Sequence, residues 1–169
     1  MAFKYGILEA RIKIPKNQKG LWPAFWTLGT NIDEVQWPAC GEIDILESGS
    51  SASIGENMVD RRLGAALHWA GGDKNNDHNT DWDLSEYFRT FKLTWTESKI
   101  SVSIDDVEYF KSENPDDSFK KPHCIILNLA IGGQYTGIQD PGQIDAPFPA
   151  QMQVEYVRLY QKEGDELIV

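Results

Sequence analysis

The chain is poor in several of the residues that usually announce a function. Two cysteines in 169 residues, Cys40 and Cys124, are too few for a disulfide framework or a thiolate metal site. Each sits in an apolar stretch where an unpaired thiol is common, so no disulfide is expected. The three histidines, His68, His78 and His123, show no zinc spacing. No apolar run is long enough to cross a bilayer, and Met1-Ala2-Phe3-Lys4 lacks the apolar core of a signal peptide, so no membrane partner is expected. Basic residues are scarce, 16 Lys and Arg against 26 Asp and Glu for a net charge of −10, which argues against nucleic acid as a partner. Sustained helical periodicity is missing as well.

What remains is short β-rich runs separated by Gly, Pro, Asn and Asp clusters, the pattern of an all-β sandwich. Candidate strands are 6–14, 22–28, 42–48, 64–69, 89–96, 100–104, 107–110, 124–130 and 151–161. The stretches Gly71–Asp77 and Asp140–Gln143 read as polar turn-forming loops, and Asp83–Phe88 as one short helical turn. With no internal repeat and no interdomain linker, residues 1–169 read as a single domain.

Residues 41–47, Gly-Glu-Ile-Asp-Ile-Leu-Glu, concentrate the chemistry. Three carboxylates interrupt what otherwise reads as a buried strand, and buried carboxylates are costly to keep. In a regular strand Glu42 and Asp44 share a face, and the next position in phase is Leu46, so Glu47 comes one residue late. A β-bulge at Ile45 and Leu46 would absorb the extra residue and return Glu47 to the face of Glu42 and Asp44. A row of this kind suits glycoside hydrolysis by two carboxyl groups. Glu42 would be the nucleophile and Glu47 the acid/base, at the separation of about 5 to 5.5 Å that gives retention. Asp44 between them would add negative charge and raise the pKa of the group that must stay protonated.

Strand parity nominates neighbours. In 6–14, Glu9, Arg11 and Lys13 share a face, which is either a cross-strand charge pair in solvent or one wall of a polar groove. Trp22, Ala24 and Trp26 share a face too, as core or as an aromatic platform for a ligand. His68, within Ala65-Ala66-Leu67-His68-Trp69, is either a satisfied core histidine or a hydrogen-bonding group of a polar site. Trp95 reads as core.

The heptapeptide, preceded by Trp37-Pro38-Ala39-Cys40, closely resembles the signature of family 16 glycoside hydrolases, in particular the laminarinase-like endo-β-1,3-glucanases. Tyr5–Arg11, Gly20–Trp26, Leu127–Gly133 and Val154–Tyr160 resemble further segments of that family in its order. The resemblance implies a jelly roll of two curved antiparallel sheets, concanavalin A-like, that takes β-glucan as its substrate and partner. Mixed-linkage glucan, algal galactan and a non-catalytic β-glucan-binding role are the alternatives. It also implies sugar contacts for Glu9 and Arg11, cleft aromatics at Trp26 and Trp37 with Trp22 behind them, and cleft positions for His68, Asn128 and Gln134, with His68 on a strand beside the catalytic one where it could bond a substrate hydroxyl or help Glu47 hold its proton. No organic cofactor is implied. Calcium is the one ion left open, weakened by Glu155 standing where the family usually has Asp. A secreted or periplasmic location follows from the resemblance alone. Family members carry a segment ahead of the strand that starts near Tyr5, so the resemblance also implies a domain without its usual N-terminal strands. Self-association is then expected through an exposed sheet edge near Gly6–Ile14 or Gln151–Gln161, with Gly164–Val169 available to fold over it.

Overall fold

A computed structural model describes residues 1–163 and the backbone of residues 166–168. Twelve strands form along the described chain: β1 (Ala2–Lys4), β2 (Gly6–Lys13), β3 (Leu21–Gly29), β4 (Glu42–Ser48), β5 (Arg62–Trp69), β6 (Gly72–Asn79), β7 (Arg89–Trp95), β8 (Lys99–Ile104), β9 (Val107–Glu113), β10 (His123–Ile131), β11 (Gln153–Tyr160) and β12 (Glu166–Ile168). They pair antiparallel into two sheets. One has seven strands in the order β12-β1-β10-β3-β4-β5-β6, the other five in the order β11-β2-β7-β8-β9. This is the expected jelly-roll sandwich. The two short helices, α1 (Ile32–Val35) and α2 (Ser51–Gly55), lie in the connections on either side of β4.

The core forms where alternating apolar positions of the two sheets meet. Leu8, Ala10 and Ile12 of β2, Phe91, Leu93 and Trp95 of β7, and Ile100, Val102 and Ile104 of β8 face Phe25, Ile43, Ile45, Leu46, Leu63 and Leu67 of the larger sheet. Full burial of side chains of this size is worth roughly 1.5–3 kcal/mol each. Trp95 is entirely buried, as its sequence context implies, and its indole N–H donates to the Phe119 carbonyl at 3.0 Å. Both cysteines are unbonded.

Three expectations change. The stretch 71–77 is not a loop: residues from Gly72 onward pair with β5 throughout as β6, an edge strand. Its polar, exposed sequence carries no alternation because neither of its faces is buried in the core. Residues 83–88 turn without forming a helix. The edge expected at Gly6–Ile14 is not there, because β2 is paired on both sides, by β11 and β7. The edges of that sheet are β11 and β9, and on β11 Val154, Val157 and Tyr160 are open to solvent. Glu166–Ile168 pairs with β1 in the other sheet rather than covering β11. The remainder of the expected cover, Gly164, Asp165 and Val169, lies outside the described residues.

Candidate active site

The outer face of the seven-stranded sheet carries the acids. Along β4 the register against β3 runs Glu42 to Leu28, Asp44 to Trp26, then Leu46 to Phe25 and Glu47 to Ala24, so Ile45 is the extra residue. Against β5, Glu42 lies opposite His68, Asp44 opposite Ala66 and Glu47 opposite Gly64. The ladder therefore slips by one residue between Asp44 and Glu47, while Ile45 and Leu46 are both fully buried. The bulge allows two consecutive apolar side chains to enter the core and restores Glu47 to the face of Glu42 and Asp44.

Each glutamate is anchored by an indole. Trp37 Nε1 donates to Glu42 Oε2 at 3.0 Å, and Trp22 Nε1 donates to Glu47 Oε1 at 3.0 Å. Trp22 stacks on Tyr135 with ring centroids 5.0 Å apart and planes 21° apart. It also packs over Gly133, whose φ of +102° suits glycine and brings the chain close to the indole. Trp26 Nε1 donates to Asn128 Oδ1 at 2.7 Å. Trp22, Trp37, Glu42, Glu47, His68 and Gln134 line one cleft of about 400 Å³.

The electrostatics raise both glutamates. Burial, with Asp44's charge second, pushes Glu47 up to about 8. Burial and then Asp44 push Glu42 only to about 7, held back by His68 and by the Trp37 N–H. Both glutamates therefore hold protons above the usual carboxylate range, and the imidazole 4.0 Å from Glu42 Oε1 favours the charged form that a nucleophile needs. Asp44 is 3% exposed, and its Oδ2 lies 3.2 Å from His68 Nε2 without good hydrogen-bond alignment. Burial raises Asp44, and the contact with Asp44 raises His68. Both partners therefore hold protons to higher pH than they would in water, and the site carries less negative charge than three carboxylates suggest.

His68 sits 4.0 Å from Glu42 Oε1 and directly against Asp44. Of its two readings the polar one is realised, with the imidazole beside Glu42 and Asp44 rather than Glu47. Glu9 and Arg11 lie in neither neighbourhood. They belong to β2 in the five-stranded sheet, where Arg11 Nε donates to Glu155 Oε2 at 2.6 Å and Glu9 accepts from the Tyr156 hydroxyl at 2.9 Å. Of the two readings their parity allowed, the cross-strand charge pair is the one realised, and neither residue lines the carboxylate cleft. The same pair bears on calcium. Glu155 pairs with Arg11 Nε at 2.6 Å, and the ligand-type cluster found among the described residues is Glu42, Asp44 and His68.

The cleft contains side chains that the sequence did not nominate. Asn75 and Asp77 of β6 lie opposite Ala66 and Gly64 and reach the cleft together with Tyr135. A Cβ on Gly64 would meet Asp77 Oδ1 at 3.3 Å and the Tyr135 hydroxyl at 3.4 Å, so glycine leaves room for these polar groups beside Glu47. The spacing of Asp73, Asn75 and Asp77 after the Gly71-Gly72 turn was the available hairpin signal.

Trp37 is 57% exposed, whereas Trp26 is half-buried and bonded to Asn128. Trp37→Ala is accordingly expected to weaken oligosaccharide binding by about 1–2 kcal/mol, with a thermal midpoint close to the parent's. Trp26→Ala should lower both affinity and stability, because it strips Asn128 of its partner. Calorimetric titration and thermal melts on the two variants separate these outcomes.

The fold and the cleft together define a β-sandwich of the carbohydrate-active class, with paired carboxylates on the outer face of one sheet. Within that class the chain belongs to glycosyl hydrolases family 16, whose family model matches residues 1–158. It is similar to the glucan endo-1,3-beta-glucosidase of Cryptopygus antarcticus, at 33% identity over 91% of this chain and 61% of that protein. It is also similar to the beta-1,3-glucan-binding protein of Penaeus monodon, at 36% identity over 98% of this chain and 61% of that protein. Among solved structures it resembles the Bacteroides ovatus mixed linkage glucan family 16 protein in complex with a G4G4G3G product. The TM-score is 0.85 at 34% identity, covering 94% of this chain and 70% of that one. The chain spans about a quarter to three fifths of the length of the curated relatives it matches.

Proposed function

We propose that the chain is a retaining endo-acting hydrolase of β-1,3-glucan. The observation that carries this reading is the bulge in β4, which sets Glu42 and Glu47 on one face with an indole N–H on each carboxylate. In the first step a Glu42 oxygen bonds to the anomeric carbon as the glycosidic C–O bond breaks, and Glu47 gives its proton to the departing oxygen. In the second, Glu47 takes a proton from water, whose oxygen attacks the anomeric carbon and releases Glu42 as carboxylate. The chemistry calls for no cofactor. A polymeric substrate of this kind is met outside the cytoplasm, which supports a secreted or periplasmic location. The β-1,3 preference rests on relatives such as the Cryptopygus enzyme. Reducing ends released from laminarin, barley mixed-linkage glucan and agarose test it. Fastest release from laminarin is expected. Faster release from barley glucan or agarose reassigns the linkage, and binding without release from any of them makes the chain a binding module.

Self-association through the open side of the sandwich belongs to the same proposal, with a second copy of the chain as the partner. Among the described residues β1 pairs with only His123 and Cys124 of β10, leaving the rest of that strand without a neighbour on this side. Ile131 at the end of β10 is exposed, as are Val154 and Val157 on the edge strand β11 of the other sheet. Charge repulsion at −10 opposes contact but is screened over about 8 Å at physiological salt, while strand pairing is short-ranged. Light scattering should show association that strengthens with salt. A monodisperse monomer at every salt and protein concentration removes the idea.

A further inference from the structure

A second bulge faces the first across the core. In the β8/β9 ladder Val102 pairs with Phe110 and Ser103 with Glu108, so Tyr109 is passed over. Tyr109 and Phe110 are consecutive and both buried, as Ile45 and Leu46 are in β4. The two irregularities touch: the Tyr109 hydroxyl donates to the carbonyl of Ile45, the residue left unpaired in both of its neighbours' registers. The backbone carbonyl of Tyr109 in turn accepts from Asn76 Nδ2 at 2.6 Å, and the Tyr109 ring lies 5.5 Å from that of His78. Asn76 sits in β6 between Asn75 and Asp77, the two residues that reach the cleft.

We propose that Tyr109 is a positioning residue for Glu47: its hydroxyl, delivered by a bulge in the opposite sheet, pins the backbone at Ile45 and so keeps Glu47 on the cleft face. This rests on the two-carboxylate reading of the site. A bulge leaves a residue outside the ladder, and a buried carbonyl there needs a donor. Without one, the competing arrangement is a regular strand, in which the side chains past Ile45 change faces: Leu46 moves toward the cleft and Glu47 toward the core. The phenol suits the task. It is buried, and burial raises its pKa well above the ordinary tyrosine value, so it remains a donor throughout the pH range of a working enzyme. Tyr109 touches no substrate and acts only through the path of the β4 backbone.

Tyr109→Phe removes the hydroxyl and keeps the ring, so it separates this role from ordinary packing. On whichever glucan the parent turns over, kcat should fall about 10- to 100-fold with KM little changed, the cost of misplacing a reacting group by about 1 Å. Carboxyl 13C NMR should show the Glu47 titration displaced from its parent value. Asn76→Ala, an exposed substitution that spares the core, should move both readouts in the same direction by less, and it serves if Tyr109→Phe does not fold. A variant that melts earlier but keeps the parent kcat and the parent Glu47 titration overturns the proposal and leaves Tyr109 a packing residue. If the parent hydrolyses no glucan, the functional reading fails, while the NMR titration still judges Tyr109 by itself.

Discussion

Glu42→Gln is expected to lower glucan hydrolysis by roughly 10⁴-fold or more while oligosaccharide binding persists, the largest effect of any single change in this chain. The amide keeps the size of the side chain, and its carbonyl oxygen can still accept the Trp37 N–H that now reaches Glu42 Oε2 at 3.0 Å. What it lacks is the negative oxygen that forms the glycosyl ester. Glu42→Ala goes further by opening space beneath the anomeric carbon. Supplied with azide and an activated β-glycoside, that variant should yield the α-glycosyl azide, since one displacement replaces two and inverts the centre. Parent-level turnover in Glu42→Gln would falsify the assignment of Glu42 as nucleophile.

The second large effect belongs to Glu47. Glu47→Ala should reduce polysaccharide hydrolysis by about 10²- to 10⁴-fold, the range for losing a general acid, and should do far less to substrates whose leaving group departs without a proton. Azide should now give the β-glycosyl azide, because Glu42 still forms the ester and azide replaces water in the second step. The stereochemistry of the two azide products thus tells the two glutamates apart within one pair of experiments.

The same residue links activity to stability. A carboxyl with a higher pKa folded than unfolded takes up protons on folding, so its favourable contribution is present at low pH and is lost as pH rises. For Glu47 the window runs from the ordinary value of 4.5 to about 8, with burial as the main cause. Glu47→Gln escapes that loss. Its thermal midpoint should match the parent's near pH 4 and exceed it by a few degrees near pH 9. The kcat/KM profile of the parent should be a bell displaced above the usual carboxyl range, its acid limb set by protonation of Glu42 and its alkaline limb by loss of the Glu47 proton. A melt difference that is the same at both pH values would show that Glu47 is not held protonated by its surroundings.

The β4 bulge was legible in the sequence because it breaks a rule with period two: Glu47 falls out of phase with Glu42 and Asp44, and two apolar residues stand side by side. The nine strands with an apolar alternation were legible for the same reason. Pattern alone could not say which sheet a strand joins. The parity of β2 correctly separates Glu9 and Arg11 from Leu8, Ala10 and Ile12, yet only the pairing of β2 with β7 and β11 places them on the sheet away from the cleft. Strand β6 escaped notice because both its faces are polar and exposed, so no burial imposed a period on it. The Tyr109-Phe110 pair carries the same signature as Ile45-Leu46, and nothing along the chain says that the two bulges meet. Local chemistry determined the acids, their phase and the strands with a buried face. The tertiary structure decided which faces oppose each other, because hydrogen-bond pairing and packing across the core join residues far apart in sequence, such as Tyr109 and Ile45.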